Sequence, residues 1–275
     1  MNKLSNSSLK AGTKSTLVTD IGYEKFFQRN DWIADETPIS LIYNSEPYAV
    51  VMCTPLDLED FAYGFSLTER IIEHPDQITN VVVNDKRKDG YEIFIDIQSD
   101  KYLKLKKRNT ITSSSCGTCG LTSLNELKNK LKSVNAVSVP VTKILDAASE
   151  IKNSQQIQKL TGATHASAWF DLSTNAFVLR EDIGRHNALD KLIGYIIQNQ
   201  IKVRNGFAFT TSRASFEMIQ KSITLGFGML ISVSAPTQMA IDLAIKYNVA
   251  LGGFIKKDKI VAYTFPDRFV NKKGI

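Results

Sequence analysis

Residues 207–255 contain the pattern that decides the fold, and they read FAFTTSRASFEMIQKSITLGFGMLISVSAPTQMAIDLAIKYNVALGGFI. Three short apolar runs in this stretch have the length of buried strands: residues 207–211, 229–233 and 250–255. In each of the two intervening segments, apolar side chains recur every three or four residues, which predicts a helix with one core-facing side. The order strand-helix-strand-helix-strand predicts a parallel sheet with right-handed crossovers.

The residues on either side extend this sheet. Residues 166–171 and 177–180 are strand-like. Asn187 and Asp190 then open a predicted helix whose apolar residues share one side. Residues 260–265 predict a last strand at the edge of the sheet.

The first half of the chain predicts a smaller α/β portion. Residues 38–43 and 48–54 have the pattern of two strands joined by a hairpin loop. Thr54 followed by Pro55 predicts the start of a helix, with Thr54 as the N-cap. Further short strands are predicted at residues 81–83, 91–97 and 102–106.

Two polar stretches separate the predicted units. Residues 1–20 are rich in Ser, Thr, Asn and Lys without periodicity, and they predict a flexible tail. Polar residues at 152–159 predict a soft boundary. We therefore expect an N-terminal α/β portion over residues 21–150 and an α/β domain over residues 151–275.

The composition is that of an ordinary globular protein. The chain has 275 residues, of which 43% are hydrophobic, and a net charge of +6. No apolar run approaches the ~20 residues that span a bilayer, and the polar N-terminus has no signal-peptide core, so we expect a cytoplasmic protein without a membrane segment. The basic charge fits either a solvated surface or an anionic ligand. No nucleic-acid motif is visible, and nucleic acid is not an expected partner.

The three cysteines are too few for a secreted disulfide scaffold. Cys53 lies in an apolar strand, which predicts a buried thiol. The other two form the motif Cys116-Gly117-Thr118-Cys119 in a loop rich in Gly and Ser. A capping-box pattern at residues 123–126 predicts that a helix starts just after this loop.

Two thiols at this spacing allow three kinds of chemistry: a dithiol–disulfide cycle, half of a zinc site, or sulfur carriage as a persulfide. A structural zinc needs about four ligands, and Cys53, His74, His165 and His186 are not paired at ligand spacing, so no metal site is predicted. A mobile loop suits a carrier, which must visit a donor and an acceptor. A nearby helix N-terminus favours the thiolate, and the second cysteine can expel sulfide as a disulfide forms.

A second polar cluster, residues 181–191, lies directly before a predicted helix. This position makes Arg185, with His186 beside it, a candidate for holding an anion. The alternative is a capping network in which Asp182 and Asn187 satisfy backbone groups and Arg185 pairs with a neighbouring carboxylate.

A third cluster ends the strand at residues 207–211 and opens the next helix. Ligands of open α/β sheets bind at such strand ends. Ser212, Arg213 and Ser215 therefore form a candidate phosphate cradle, in which Arg213 supplies a bidentate donor. The alternative is an ordinary N-cap. Residues 234–237 occupy the equivalent position after the next strand.

The chain resembles the FdhD family of formate dehydrogenase accessory proteins from about Glu36 to Phe269. The matching landmarks are Glu36-Thr37-Pro38, Leu67-Thr68-Glu69-Arg70-Ile71-Ile72, the Cys loop at 114–120, Thr161-Gly162 with His165, Arg180 to Ala188, Ser212-Arg213 with Ser215 to Met218, and Tyr263-Thr264 with Pro266 and Arg268. Together these landmarks are specific, whereas the cysteine pair alone is not.

The resemblance implies a sulfur carrier. Such a protein takes sulfur from a cysteine desulfurase and delivers it to the molybdenum cofactor, in the bis-guanine-dinucleotide form, before insertion into formate dehydrogenase. The resemblance also implies a cytidine-deaminase-like C-terminal domain and a homodimer. It assigns the persulfide to Cys116 and makes Cys119 its partner. Guanosine phosphates such as GDP are then expected to bind the C-terminal half.

The resemblance further implies a cofactor-binding stretch near the C-terminus. It consists of Phe254, Ile255, Lys256, Lys257, Asp258 and Lys259. The chain departs from the family pattern at Phe265, where a His is expected before the proline.

Three other functions compete with sulfur carriage. A zinc deaminase needs a His-x-Glu motif and a Pro-Cys-x-x-Cys motif, and the sequence has neither. A non-covalent cofactor chaperone and a thiol–disulfide redox protein remain as alternatives. Dependence of the function on the cysteines would separate the chaperone from the carrier.

Overall fold

A computed structural model describes residues 11–23, 25–86, 89–98, 111–112 and 131–271, with the backbone alone at 111–112. The predicted strand at 102–106 and the predicted helix near residue 123 lie outside the described residues. Within the described part, a five-stranded and a six-stranded sheet form the body of the protein, together with two small two-stranded sheets. The α/β class predicted from the sequence is confirmed.

The first two strands form an antiparallel hairpin. They are β1 (Thr13–Ile21) and β2 (Phe26–Ala34). The sequence predicted a flexible tail through residue 20, whereas the structure has a strand from Thr13 onward; residues 1–10 lie outside the described residues. The cause is pairing across the hairpin, which local composition does not reveal; Arg29 Nε donates to Asp20 Oδ2 at 2.7 Å.

The N-terminal sheet contains β3 (Thr37–Tyr43), β4 (Glu46–Cys53), β5 (Ile78–Asp85), β6 (Tyr91–Ile97) and β7 (Ile111–Thr112). Its strand order is β5-β6-β3-β4-β7. β3 and β4 form the predicted hairpin, and β7 runs parallel to β4. Ile39, Leu41 and Tyr43 are fully buried, because alternate strand residues face the same side of the sheet.

The first helix, α1 (Leu58–Thr68), starts later than predicted. The sequence placed its N-cap at Thr54, but the N-cap residue is Asp57, with a φ of 50°. That left-handed conformation interrupts a right-handed helix. Thr54 instead forms hydrogen bonds with residues of the C-terminal half of the chain, as described below.

Residues 131–161 lead from the first sheet to the second. They include β8 (Val139–Pro140), α2 (Val141–Ser154) and α3 (Gln156–Thr161). The polar stretch at 152–159 is therefore largely helical. Lys152, Asn153, Gln156 and Lys159 are exposed, whereas Gln155, between the two helices, is buried. Ile144, Ala147 and Ile151 are the buried residues of α2, at helical spacing.

The C-terminal sheet contains the predicted alternation of strands and helices. The elements are β9 (His165–Asp171), β10 (Phe177–Asp182), α4 (Arg185–Gln198), β11 (Gly206–Thr210), α5 (Phe216–Leu225), β12 (Met229–Ser232), α6 (Gln238–Lys246), β13 (Ala250–Gly253), β14 (Val261–Ala262) and β15 (Phe269–Val270). The six-stranded order is β10-β9-β11-β12-β13-β14, and β15 pairs with β8. β11, β12 and β13 are mutually parallel. β14 is the edge strand predicted over residues 260–265, and it pairs antiparallel with β13. The likeness to cytidine deaminases stays a prediction.

Strand direction places three helix N-termini at one edge of this sheet. β9 is antiparallel to both β10 and β11, so β10 runs in the same direction as β11. The carboxyl ends of β10, β11 and β12 therefore share an edge, and each leads into a helix, α4, α5 and α6 respectively. The end of β13 lies at this edge too. We call it the strand-end edge.

The two halves pack through α1 and α4, which approach closely at two glycines. A Cβ on Gly64 would lie 1.8 Å from the carbonyl oxygen of Asp190, and a Cβ on Gly194 would lie 1.7 Å from that of Asp60. One hydrophobic cluster accordingly includes Phe61 from α1 and Leu192 from α4. The two halves thus share a core, and the domain division near residue 150 stays a prediction.

Candidate functional site

The two loop cysteines, Cys116 and Cys119, lie outside the described residues. The chain that leads to them is described at β7, where Thr112 lies opposite Val51 of β4. Three residues lie between Thr112 and Cys116, and the four residue steps that join them span at most about 14 Å. The loop that contains the dithiol therefore leaves β7 beside the carboxyl end of β4.

The end of β4 is bonded directly to the strand-end edge. The backbone N–H of Thr54 donates to Asp182 Oδ2 at 3.0 Å, and its hydroxyl accepts from the N–H of Ile183 at 3.2 Å. The buried Lys191 Nζ donates to the carbonyl of Thr54 at 2.8 Å and lies 2.7 Å from Asp182 Oδ2. Gly184 and α4 directly follow Asp182 and Ile183 in the chain. These bonds therefore fix β4, and with it β7, the strand that leads to the dithiol, relative to the start of α4. We call β7 the dithiol tether.

Much of the polar cluster at 181–191 has a structural role. Asp182 Oδ1 accepts from Gly184 N at 2.8 Å and from Asn187 Nδ2 at 3.0 Å, and Asn187 Nδ2 also donates to the carbonyl of Met52 at 2.9 Å. The capping network considered from the sequence is therefore present for Asp182 and Asn187. It also reaches across to β4, which the sequence did not indicate.

Glu181 organises the start of α3. Its carboxylate accepts from the backbone N–H groups of Ile157 and Gln158 at 3.0 and 2.9 Å, and from the hydroxyl of Thr164 at 3.0 Å. Glu181 is almost completely buried. The Glu181 carboxylate thus accepts three hydrogen bonds from the segment that precedes β9, which gives it a structural role.

Arg185 and His186 form the first turn of α4, at the strand-end edge. Arg185 is half-buried and His186 is buried. The pKa of His165 at the start of β9 is lowered, first by burial and then by the positive charge of Arg185. Arg185 and His165 are therefore neighbours at this edge; the predicted anion-binding role of Arg185 and His186 stays a prediction.

The predicted phosphate cradle lies between β11 and α5. Ser215 is the N-cap residue of the ten-residue helix α5, but its side chain makes no capping hydrogen bond. Ser215 is 7% exposed, and its hydroxyl has no hydrogen-bond partner among the described residues. Arg213 is exposed, whereas the Ser212 hydroxyl is hydrogen-bonded to Thr210 Oγ1 and to the carbonyl of Arg213, both at 3.0 Å. Ser215 therefore does not act as an ordinary N-cap, in which the hydroxyl would accept a hydrogen bond from the first turn of the helix.

The next two strand ends complete the edge. Thr237 caps α6 by accepting from Ala240 N at 3.3 Å, and its own N–H donates to Ala214 O at 3.0 Å. Beyond β13, Phe254 is half exposed with a φ of 51°, and its N–H points to Ser234 O at 3.5 Å. The remaining members of the predicted stretch follow as Ile255, which is half-buried, and Lys256, Lys257, Asp258 and Lys259, which are exposed.

The structure thus brings all the described candidate residues to the strand-end edge. Lys256, Lys257 and Lys259 add positive charge there, and the N-termini of α4, α5 and α6 direct backbone N–H groups to the same side. This arrangement suits an elongated anionic ligand.

A cavity of about 370 Å³ adjoins this edge beside the start of β9. Its lining includes Gln155, Gln158, Thr164, His165 and Thr211. The sequence analysis did not identify Gln155 or Gln158. The only signal was the nearby Thr161-Gly162 and His165 landmark.

The third cysteine has the environment predicted for it. Cys53 at the end of β4 is fully buried, and burial raises the pKa of its thiol well above the usual range. A thiol in that environment is a poor nucleophile. In the described part of the chain, no group of three or more His, Cys, Asp or Glu side chains could hold a metal ion, and no helix is long and apolar enough to cross a membrane.

Known proteins resemble this chain along most of its length. It is 40% identical over 243 residues to the sulfur carrier protein FdhD of Bordetella petrii, with 87% of each chain covered. It is 38% identical over 268 residues to the protein of the same name from Acinetobacter baylyi, covering 96% of this chain and 97% of that one. The crystal structure of a protein from Desulfotalea psychrophila, assigned as a formate dehydrogenase accessory protein, superposes with a TM-score of 0.77 at 21% identity, covering 94% of this chain and 99% of that one.

A sequence profile of the FdhD/NarQ family matches residues 34–270, which is nearly all of the described sequence. The match includes the dithiol motif, the cluster before α4 and the cradle before α5. The chain therefore belongs to the FdhD/NarQ family.

Proposed function

We propose that this chain is a cytoplasmic sulfur carrier for formate dehydrogenase. It takes persulfide sulfur from a cysteine desulfurase and transfers it to the molybdenum cofactor, in its bis-guanine-dinucleotide form, before the cofactor enters formate dehydrogenase. Membership of the family, with relatives named sulfur carrier protein FdhD, supports this assignment.

The observation that carries the proposal is the tether of the dithiol. Thr112 pairs with Val51 on β4, and Thr54 at the end of β4 is bonded to Asp182 and Ile183 just before α4. Cys116 thus follows four positions along the chain from Thr112, in a strand beside β4, and the end of β4 is bonded to the residues just before α4 at the strand-end edge. Such proximity is what a carrier needs in order to deliver sulfur to a bound acceptor.

The proposed chemistry proceeds in two balanced steps. The Cys116 thiolate attacks the terminal sulfur of the desulfurase persulfide; a new S–S bond forms, the donor S–S bond breaks, and the donor cysteine leaves as a thiolate. The Cys119 thiolate then attacks the inner sulfur of Cys116, which releases hydrosulfide to the cofactor. The two electrons that reduce the transferred sulfur come from the cysteines, which become a disulfide. An external thiol reduces that disulfide for the next cycle.

The cofactor is the substrate of this reaction, and the strand-end edge has groups that fit it. Its phosphates match Arg213, the lysines after β13, and the Ser215 hydroxyl, for which the described residues supply no hydrogen-bond partner. A homodimer remains part of the proposal, and light scattering of the purified protein measures it directly.

Mass spectrometry after incubation with a cysteine desulfurase and cysteine tests the carrier. We expect one or more added sulfur atoms on Cys116 in the wild type and none in Cys116→Ser. The matched control is Cys53→Ala, which removes a buried thiol and should load sulfur normally. In a deletion strain, Cys116→Ser should not restore formate dehydrogenase activity; full restoration would favour the non-covalent chaperone.

The alternative of a thiol–disulfide redox protein makes a different prediction for the same samples. Such a protein would gain and lose a Cys116–Cys119 disulfide without gaining sulfur mass. A Cys119→Ser variant should still load sulfur on Cys116 if the chain is a carrier, because the first step does not use the second thiol.

A further inference from the structure

The hairpin of β1 and β2 projects from the body of the protein. Among the described residues, its two strands pair only with each other. At its base, Trp32 and Ala34 are half-buried, and a Cβ on Gly12 would lie 2.8 Å from Thr54 Cγ2. From residue 19 to residue 30, in contrast, every described residue is exposed. The outer half of the hairpin, residues 17–30, is therefore open to solvent.

This outer half carries a group of highly exposed apolar side chains. The following are at least 62% exposed: Leu17, Ile21, Tyr23, Phe26 and Phe27. No other large apolar side chain in the described ranges exceeds 56% exposure. Ile21 lies directly opposite Phe26, and Leu17 faces the same side of the ribbon, so these three side chains form one surface. A contiguous apolar surface of this kind marks an interaction site.

The hairpin has little to stabilise it by itself. A two-stranded hairpin is at best marginally stable in water, and it needs a further strand or a surface to pack against. Arg29 pairs with Asp20 at 2.7 Å and with Asp31 at 2.8 Å, but all three side chains are well exposed, and exposed ion pairs contribute little. The hairpin therefore calls for a partner that covers its apolar side chains.

The size of the apolar surface matches one side of a dimer contact. The exposed fractions of the five side chains amount to roughly 700 Å², because a large side chain buries about 150–250 Å² in full. A stable interface takes about 800 Å² from each partner. Contact between two such hairpins is therefore sufficient to hold two chains together.

The charge of the hairpin favours a second copy of the chain as this partner. Three basic and three acidic side chains lie between residues 13 and 34: Lys14, Lys25, Arg29, Asp20, Glu24 and Asp31. The hairpin is thus neutral, although the whole chain has a net charge of +6. Two copies do not repel each other at this surface. A two-fold contact brings the same surface of both copies together, and a neutral apolar surface is complementary to itself.

We propose that the outer half of the β1–β2 hairpin binds the same hairpin of a second copy of this chain across a two-fold axis, through the surface formed by Leu17, Ile21 and Phe26. The inference rests on the homodimer of the proposed function and names its contact surface; it does not depend on the sulfur chemistry. The base of the hairpin lies beside Thr54 at the end of β4. The hairpin therefore connects the dimer contact to the strand beside the dithiol tether.

Analytical ultracentrifugation of the purified full chain tests this assignment. The wild type should sediment as a dimer and dissociate on dilution. Ile21→Thr combined with Phe26→Thr keeps residues that favour strands and removes apolar surface. Each substitution occurs twice in a two-fold contact, so the dissociation constant should rise at least about a hundredfold. The matched control is Val82→Thr with Val83→Thr, at exposed positions of β5, which should change it less than about twofold.

Hydrogen exchange locates the contact without any substitution. Because the hairpin is marginal alone, its backbone amides should exchange faster once dilution separates the two copies. We expect protection that depends on protein concentration within residues 13–34. Such protection confined to other residues would overturn the assignment, and so would a double hairpin variant that dimerises as tightly as the wild type.

Sulfur loading of Cys116 is measured on the same preparations and decides the carrier function separately. A wild type that loads sulfur normally but stays monomeric at every concentration would overturn the hairpin contact and leave the carrier intact. If the wild type is monomeric and only the double hairpin variant fails to accept sulfur from a desulfurase, the hairpin binds the donor protein and the assignment to a second copy is wrong. Absent loading in a dimeric wild type would overturn the carrier function alone.

Discussion

Asp182 shows how one side chain can join the two halves of the molecule. Its carboxylate accepts from backbone N–H groups of Thr54 and Gly184 and from the amide of Asn187, and it forms an ion pair with Lys191 at 2.7 Å. Neither charged side chain has any exposed area. A buried pair of this kind is tolerated because further hydrogen bonds satisfy each charge, here including that from Lys191 Nζ to the Thr54 carbonyl.

At this residue scale we predict that Lys191→Met is strongly destabilising. The substitution keeps most of the side-chain volume but leaves the Asp182 charge buried without its cationic partner. The free energy of unfolding should fall by about 3–5 kcal/mol, measured by urea unfolding at pH 7. Lys202→Met removes an exposed lysine and should change it by less than about 0.5 kcal/mol.

A double variant separates the charge from the packing. Asp182→Asn with Lys191→Met removes both charges, so it should be less destabilised than the sum of the two single variants. Additive losses would mean that the pair is not energetically coupled, and the bonds to Thr54 alone would then explain the effect of each variant.

Single residues were predictable from the sequence only where local pattern defines their surroundings. The burial of Cys53 followed from the apolar strand around it, and the position of Arg213 followed from the strand–helix junction. The cluster at 181–191 included Lys191, but its burial and its bond to the Thr54 carbonyl were not predicted, because that acceptor is 137 residues away. Gln155, the N-cap residue of α3, was missed for a similar reason: the polar stretch 152–159 predicts a boundary, and only the fold places Gln155 in the lining of a cavity.

At the scale of elements, α5 has the features of an anion site. It has ten residues, and Arg213 lies exposed two residues before its N-cap Ser215. The Ser215 hydroxyl has no hydrogen-bond partner in the part of the chain that the structure describes. The helix N-terminus adds partial positive charge. Together these groups provide more donors than the fold itself uses.

We predict that Arg213→Ala weakens GDP binding by roughly ten- to a hundredfold in a calorimetric titration. A charge-assisted contact to phosphate contributes about 1.5–3 kcal/mol, which corresponds to that range. Arg204→Ala is the matched control. It removes the same charge from an exposed residue just before β11, at the opposite edge of the sheet, and should leave the GDP affinity within about twofold. Unchanged affinity in both Arg213→Ala and Arg185→Ala would mean that the phosphates bind elsewhere.

The elements themselves were predicted best where periodicity was strong. The strand–helix alternation from β11 to β13 was confirmed, because each element has a continuous apolar run or a helical stripe. The β1–β2 hairpin was missed, since the strand β1 consists mostly of polar residues and is defined by its pairing with β2 along nine positions. The start of α1 was misplaced, because the N-cap signal at Thr54 is used for contacts with Asp182 and Ile183 rather than with the helix.

At the scale of the whole molecule, the N-terminal and C-terminal sheets have different roles in the proposed reaction. The N-terminal sheet tethers the dithiol through β7, and the C-terminal sheet provides the strand-end edge. Transfer of sulfur between them requires a fixed relative position. The contact between α1 and α4 provides it, supported by the ion pair of Arg180 with Asp60 at 2.7 Å and by the bond from Gln198 Nε2 to Asp60 at 2.8 Å.

We predict that Gly194→Ala destabilises the whole protein, because α1 and α4 are in backbone contact at this glycine. A Cβ at position 194 would lie 1.7 Å from the Asp60 carbonyl oxygen, a distance that no side-chain rotation can relieve. The helices must separate, which opens the shared core on both sides, so urea unfolding should show a loss of about 3 kcal/mol or more. Gly22→Ala adds the same methyl group where the nearest atom would be 3.6 Å away, and it should cost less than about 0.5 kcal/mol. Equal stabilities of the two variants would mean that the halves can shift apart without loss, and the α1–α4 contact would then not fix the dithiol tether relative to the strand-end edge.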